Sequence, residues 1–230
     1  MTESFVSIIL PVHNQADHIR QVVRDFHTAL SELPVRIETV LVINGCSDRS
    51  QEICEELARE DSRVTIHCTS RAGWGHAVQE GLARAKGDLL CYTNSARTSP
   101  EELAQVVRFA IAYPGVIVKA NRKLRESLVR RIGSLLYNLE CRTLFDLATW
   151  DVNGTPKIFP REYSPLLALR SPDDLIDVEF GVICRRMQYA MVEVPIFSVR
   201  RHGGKSTTNW NSALHLYWGA MKAWLTKRWM

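Results

Sequence analysis

The 230 residues are 46% hydrophobic and 23% charged, an ordinary globular composition with room for one sizeable α/β core or two small ones. A formal net charge of +4 is too weak to argue for nucleic acid; it suits an anionic substrate or an acidic membrane surface, and equally a plain solvated surface. No apolar run approaches the ~20 residues that span a bilayer.

Val6–Leu10 predicts a first strand stopped by Pro11, with His13 and Asn14 in the loop that follows. Apolar residues at Ile19, Val22, Val23, Phe26 and Leu30 repeat at helical spacing across 15–33. The nearly unbroken β-branched run Ile37–Ile43 is that of a strand covered on both faces. It ends in Asn44-Gly45-Cys46-Ser47-Asp48, a turn whose Ser or Asp can cap a helix over 50–60. A third strand at 64–68 and a Gly-bearing loop at 71–75 lead into a helix over 76–86. The stretch Gly87–Ala96 is the centre of the pattern: a short apolar run, opened by Gly-Asp and closed by small polar residues, reads as a buried strand ending in a turn. A helix over 100–113 and a strand over 116–120 complete an alternation that argues for a mostly parallel sheet with helices on both faces.

The pattern changes after residue 120. Residues 122–147 form a helix-like segment with basic residues on one side, among them Arg130 and Arg131, and with Ser134. A turn at 151–157, a short strand at 157–159 and a helix over 177–187 follow. Pro195 inside the strand 191–197 places that strand at an edge or about to leave the sheet. Residues 200–206 are a basic, Gly-rich loop. The last helix, 213–229, puts Leu214, Tyr217, Trp218, Met221, Trp224 and Leu225 on one stripe. Such a stripe packs on its own core or lies on a membrane interface. No linker, repeat or low-complexity segment divides the chain, so the expectation is one domain over 1–212 with a C-terminal amphipathic helix over 213–230. The six cysteines are scattered without Cys-x-x-Cys spacing, as buried thiols in a reducing compartment would be. The Met-Thr-Glu-Ser start shows no signal peptide. The expected location is cytoplasmic, free or peripheral on the cytoplasmic membrane face.

From Val6-Ser-Ile-Ile-Leu-Pro-Val-His-Asn-Gln15 to Gly203-Gly-Lys-Ser206, the order of short motifs resembles the family-2 glycosyltransferases of the GT-A fold. The likeness is greatest to the branch that makes polyprenyl-phosphate sugars. It implies a nucleotide-sugar donor held by Pro11, His13 and Asn14, by Asn44 and Asp48, by Gly73 and Gly75 of the Arg71-Ala-Gly-Trp-Gly-His-Ala77 loop, and by Asn94, Ser95 and Ala96. Two departures stand out. The family's Asp-Asp-Gly-Ser-x-Asp reads Ile43-Asn44-Gly45-Cys46-Ser47-Asp48 here, so a carboxylate has become an amide; Asn44 still accepts and donates hydrogen bonds to a uracil-like edge or a ribose hydroxyl. The family's metal-binding Asp-x-Asp reads Asn94-Ser95-Ala96, which offers a hard Mg²⁺ or Mn²⁺ ion no charged oxygen. No metal ligand is therefore assigned, and weak or absent metal dependence is expected. For Gly73 and Gly75 a tight turn into a helix is the plain alternative.

Fixed guanidinium groups can neutralise a leaving diphosphate in place of a metal. Candidates are Arg97, Lys119, Arg122, Arg130, Arg131, Arg200, Arg201, His202 and Lys205. The resemblance implies phosphate contacts for Arg122, for Arg130 with Ser134, and for Arg201 before its Gly-x-Ser. Singly, each is also the ordinary solvated Arg. Asp151, Gly154 and Lys157 match the family's acceptor-side segment, and Asp177 with Glu179 its late Asp-x-Glu. Asp151, Asp177 and Arg201 are the catalytic candidates, although Asp177 also fits a helix cap. A polyprenyl phosphate needs no strong base, whereas an alcohol acceptor does. The expected function is sugar transfer to a polyprenyl-phosphate or other membrane-surface acceptor. The rival is an inactive relative that keeps the scaffold for nucleotide or partner binding, and a third option is a different activated donor on the same fold.

Overall fold

A computed structural model describes residues 4–124, 127–197, 203 and 210–229, with 210–213 described as backbone alone. The elements are β1 (Ser4–Val12), α1 (Ile19–Leu30), β2 (Val35–Asn44), α2 (Ser50–Glu60), β3 (Val64–Thr69), α3 (Trp74–Arg84), β4 (Leu89–Tyr92), α4 (Pro100–Ala112), β5 (Ile117–Arg122), α5 (Leu128–Phe145), β6 (Lys157–Pro160), α6 (Ile176–Arg186), β7 (Met191–Ile196) and α7 (Trp210–Leu225). They build one seven-stranded sheet in the order β3-β2-β1-β4-β6-β5-β7.

Period-2 alternation sends neighbouring residues of the inner strands to opposite faces. Ile8 and Leu10 of β1, with Leu41 and Ile43 of β2, pack under α1, α2 and α4. Ile9, Val40 and Val42 face α3 and α6. Ser99 and Glu102 close a reciprocal capping box at the start of α4, which fixes where the chain turns after the central strand. A third apolar cluster joins α5, α6 and α7 through Cys141, Phe145, Val178, Val182, Ala220 and Ala223.

Helices on both faces and a predominantly parallel sheet agree with the sequence. So does Pro195, since β7 is an edge strand paired only with β5. The sheet differs from the simple alternation in having β6 antiparallel between β4 and β5. β5 ends at the carboxyl edge, and the chain returns from α5 to that same edge, where the Ala120 amide donates to the Pro156 carbonyl at 2.8 Å. A strand entering there can only run backwards.

β1 also continues through Pro11 to Val12 instead of stopping. Pairing with β4 ends at Ile9↔Tyr92, so the missing Pro11 N–H points to a side with no ladder to interrupt. The first helix is shorter than its periodic pattern, because the segment from Gln15 to His18 forms a turn closed by the His18 and Ile19 amides on the Gln15 carbonyl. The last helix starts at Trp210 and ends at Leu225; Lys227 takes a left-handed φ of 50°, and Trp229 folds back against Phe145.

α3 lies close on the sheet because Gly81 has no side chain; a Cβ there would stand 2.2 Å from Cγ2 of Ile9. Both partners sit in the core and cannot swing aside, so overpacking applies at about 1–3 kcal/mol. Gly81→Val is expected to lower the urea midpoint by an amount equivalent to about 2 kcal/mol at unchanged m-value. A midpoint at or above that of the native chain would contradict the close packing.

Candidate active site

In open α/β sheets ligands bind beyond the carboxyl ends of the parallel strands, and here two connected clusters of polar side chains lie at that edge. The first joins the loops after β1, β2 and β4. Asn14, with φ 51°, accepts from the Ser47 amide at 2.8 Å through its side-chain oxygen. Asp48 accepts from the Ala16 amide at 3.0 Å and from the Ser50 amide and hydroxyl. Burial alone would raise the Asp48 pKa, but the Ser50 hydroxyl and the two amides outweigh it and hold the carboxyl below its usual value. Asn14 and Asp48 thus tie the first two loops together.

His13 is exposed, and its Nδ1 sits 2.7 Å from the Asn44 carbonyl. Asn44 is buried and donates from Nδ2 to the Gly73 carbonyl at 3.0 Å. Its Oδ1 is buried with no hydrogen-bond partner, which is unusual for a buried carbonyl oxygen.

Gly73 and Gly75 are explained by close backbone approach. A Cβ on Gly73 would lie 2.5 Å from the Pro172 carbonyl oxygen, and one on Gly75 2.1 Å from that of Ser171. The 170–172 segment is held in turn by Glu179, whose carboxylate accepts from the Arg170 and Ser171 amides at 2.7–3.0 Å. Glu179 of α6 therefore fixes the segment on which the Gly73 loop rests, and that loop anchors Asn44. Pro11 is buried within β1.

At the turn after β4, Asn94 Oδ1 accepts from the Ala96 amide at 2.9 Å. Ser95 is fully buried and its hydroxyl donates to Oε1 of Gln15; the Ala96 methyl is buried as well. Arg97 follows in the same turn, half-buried, its amide donating to the Asn94 carbonyl. The turn satisfies itself and ties β4 to the first loop.

The second cluster lies under β5, β6 and α6. Arg122 grips both oxygens of Asp151 at 2.8 Å, and its amide adds a third bond at 3.0 Å. Asp177 pairs with Lys157 and accepts from the Tyr92 hydroxyl at 2.9 Å. Lys119 donates to the Thr149 hydroxyl at 2.6 Å and to the Asp151 carbonyl, with Glu193 at 3.4 Å. Asp151, Asp177, Lys119 and Lys157 are all buried. Asp151 and Asp177 thus hold cations in place, Asp151 through both carboxylate oxygens and Asp177 through Oδ1. Lys119, a phosphate candidate by charge, is instead an interior group. Its position between Val118 and Ala120 in a buried strand was the available signal. Tyr92 and Glu193 had no such signal, because each acts through a partner far along the chain.

Arg130 and Ser134 lie on α5, half-buried. Asn138 joins that helix to the Asp151 turn by accepting from the Val152 amide at 2.9 Å. Arg200, Arg201, His202 and Lys205 lie outside the described residues. Gly203 places its backbone beside the first loop, since a Cβ there would stand 2.5 Å from Nδ1 of His18.

Comparison with known proteins gives the family and the fold. The family model described as Glycosyl transferase family 2 matches residues 7–163, more than half of the chain. The chain belongs to that family. It is 33% identical over 140 residues to an undecaprenyl-phosphate 4-deoxy-4-formamido-L-arabinose transferase of Edwardsiella ictaluri (strain 93-146), covering 60% of this chain and 43% of that one. It is 24% identical over 215 residues to the transferase of the same name from Salmonella choleraesuis (strain SC-B67), covering 92% and 64%. The chain thus spans less than two thirds of the length of these relatives. Among solved structures, glucosyl-3-phosphoglycerate synthase from Mycobacterium tuberculosis in complex with Mn²⁺, uridine-diphosphate and phosphoglyceric acid superposes with a TM-score of 0.75 at 17% identity, covering 98% of this chain and 78% of that chain. This likeness shows the fold, which is GT-A-like.

The Mn²⁺ of that neighbour raises the question of fit. Asn94 Oδ1 and the Ser95 hydroxyl are engaged within the protein, and Ala96 offers a methyl group. A hard divalent ion requires several charged or free oxygens. The donor set here does not fit it. Among the described residues, no three His, Cys, Asp or Glu side chains stand together as a metal site elsewhere.

Burial, then repulsion from Lys157, lowers the Lys119 pKa to about 8 from 10.5. The unfolded chain keeps that proton until about pH 10.5, so between these values it binds more protons than the native state and stability gains with rising pH from this group. The difference in unfolding free energy between the native chain and Lys119→Met is expected to shift in favour of the native chain from about pH 8 upward. A difference that stays flat over that window would mean that Lys119 is not buried as described.

Proposed function

We propose that this chain transfers a sugar from a nucleotide-diphosphate donor to a polyprenyl phosphate, or another acceptor at a membrane surface, with weak or no dependence on a divalent ion. An acceptor phosphate oxygen attacks the anomeric carbon in line. The bond from that carbon to the diphosphate oxygen breaks, and the nucleoside diphosphate leaves with the electron pair. The acceptor is already ionised, so no strong base is needed.

The observation that carries the donor half is the orphan Oδ1 of Asn44, a buried acceptor at the sheet's carboxyl edge. It would take an N–H from a pyrimidine-like edge, which would satisfy an atom that otherwise bears its full desolvation cost. His13, Asn14, Asp48, Gly73 and Gly75 shape the loops around it. The cations of Arg97, Arg122, Arg130, Arg200, Arg201 and Lys205, with the Ser134 hydroxyl, would meet the phosphates and offset the charge on the leaving group. Asp151 and Asp177 act by fixing Arg122 and Lys157 in the transition-state arrangement rather than by taking a proton. The protein works on the cytoplasmic face, with peripheral membrane contact through 213–230.

The second reading, a nucleotide-binding relative without activity, is favoured by one observation: the Asn94–Ala96 turn is closed on itself. Titration with UDP and other nucleoside diphosphates and their sugar conjugates, with Mn²⁺ and with a chelator, separates the two when followed by transfer to a short polyprenyl phosphate. Binding is expected to survive chelation within about threefold and to weaken about tenfold in Asn44→Ala, the loss of about one buried hydrogen bond. Asn94→Asp combined with Ala96→Asp is expected to add metal-dependent binding. Nucleotide binding without transfer favours the inactive relative, and no binding under any condition removes both readings.

A further inference from the structure

The turn that carries Asp151 belongs to a connection, 146–156, that has no strand ladder of its own. It lies on β5 because Gly154 has no side chain; a Cβ there would stand 2.1 Å from the Ala120 carbonyl oxygen. A carboxylate on the edge strand also holds it. Glu193 of β7 accepts from the Trp150 amide with both oxygens, at 3.0 and 3.1 Å, and from the Asp151 amide at 3.3 Å. The Thr149 hydroxyl donates to it as well, and so does Asn121 Nδ2 at 3.0 Å. Lys119 lies 3.4 Å away and itself donates to the Thr149 hydroxyl and the Asp151 carbonyl.

This is more than an edge strand needs. β7 is already paired with β5 over six residues, from Ile117↔Met191 to Arg122↔Ile196, and the Glu193 side chain turns its bonds mainly toward the 149–151 turn. Burial would raise the Glu193 pKa, but Lys119, the Thr149 hydroxyl and the Trp150 and Asp151 amides outweigh it and hold the carboxyl below its usual value. A carboxylate offers about four lone-pair sites. Donors from five residues compete for them here, so Glu193 is no candidate for a base. Its effect passes through what it holds. That is Asp151, whose oxygens grip the Arg122 guanidinium at two points and the Arg122 amide at a third. Arg142 closes the same turn from α5, donating to the Thr149 carbonyl at 3.3 Å and stacking on the Trp150 ring at 3.8 Å.

We infer that Glu193 is a positioning residue: from the edge strand it fixes the 149–151 turn, and through Asp151 it sets where the Arg122 guanidinium stands at the carboxyl edge. That Arg122 meets a substrate phosphate there rests on the transferase reading; the line of contacts does not. Gln in place of Glu193 would turn an NH₂ group toward donors that need an acceptor.

Hydrogen exchange at the Arg122 Nε–H, followed by heteronuclear NMR on the full chain and assigned by its loss in Arg122→Lys, tests the placement. It needs neither donor nor acceptor, so failure of positioning and failure of the transferase reading are separate results. In Glu193→Gln this proton is expected to exchange about fivefold faster or more, the worth of about one hydrogen bond, while the Ile9 and Val42 amides of the sheet keep their protection. Glu193→Asp keeps the charge but shortens the reach, and its exchange is expected to fall between the two. Where the native chain transfers sugar, Glu193→Gln is expected to lower kcat by about tenfold to a hundredfold with the donor KM held within about threefold, and Glu193→Asp to recover part of the loss. A merely structural role would reduce the folded fraction and leave kcat per folded molecule unchanged. Native-like Arg122 exchange or native-like kcat in a folded Glu193→Gln chain overturns the inference. Should that variant lose the protection of Ile9 and Val42 as well, the same comparison on Glu193→Asp decides.

Discussion

The Asp177 carboxylate is the junction on which the two halves of the molecule depend. It takes the Tyr92 hydroxyl from the last residue of β4 and the Lys157 ammonium from the first residue of β6. β4 pairs in parallel with β1, whereas β6 is the reversed strand between β4 and β5. All three partners are buried, so each charge leans on the others, with Asp151 adding to the support of Lys157. Burial lowers the Lys157 pKa and the Asp177 charge opposes that fall, while burial and the same carboxylate push the Tyr92 phenol well up. Breaking one member strands the rest, which makes the cluster a means of registering β6 between β4 and β5.

A division of labour follows along the carboxyl edge. Near β1 and β2 most side chains spend their hydrogen bonds on neighbouring loops, while Asn44 Oδ1 and His18 Nε2 are buried without a partner. Near β5 and β6 they spend them on buried ion pairs. The turn that the fold family commonly gives to a metal is used here to brace the first loop, through Ser95 and Gln15. Carboxylates there would have repelled one another without a cation between them; an amide, a hydroxyl and a methyl let the turn close without one.

Most of the architecture could be read from the chain because burial on two faces writes itself as β-branched runs, and helices as 3.6-residue repeats. Periodicity could not show that β6 is reversed, since strand direction depends on which edge the chain re-enters. The candidate site was legible where a residue type names its own chemistry, as with the amide at Asn44 or the missing carboxylates at 94–96. It was not legible where a side chain is placed by a partnership: Glu193 with Lys119, and Tyr92 with Asp177, lie 74 and 85 residues apart in the chain.

The line of contacts from Glu179 through the 170–172 segment to Gly73 and Asn44 gives the end of β2 a remote foundation. Helix α6 lies on the face of the sheet away from α1, yet its carboxylate sets the height of the shelf on which the Asn44 amide rests. Drift in α6 would tilt this shelf too. Under the proposed reading, a lineage that repacked α6 would have to re-level the loop beside Asn44 as well.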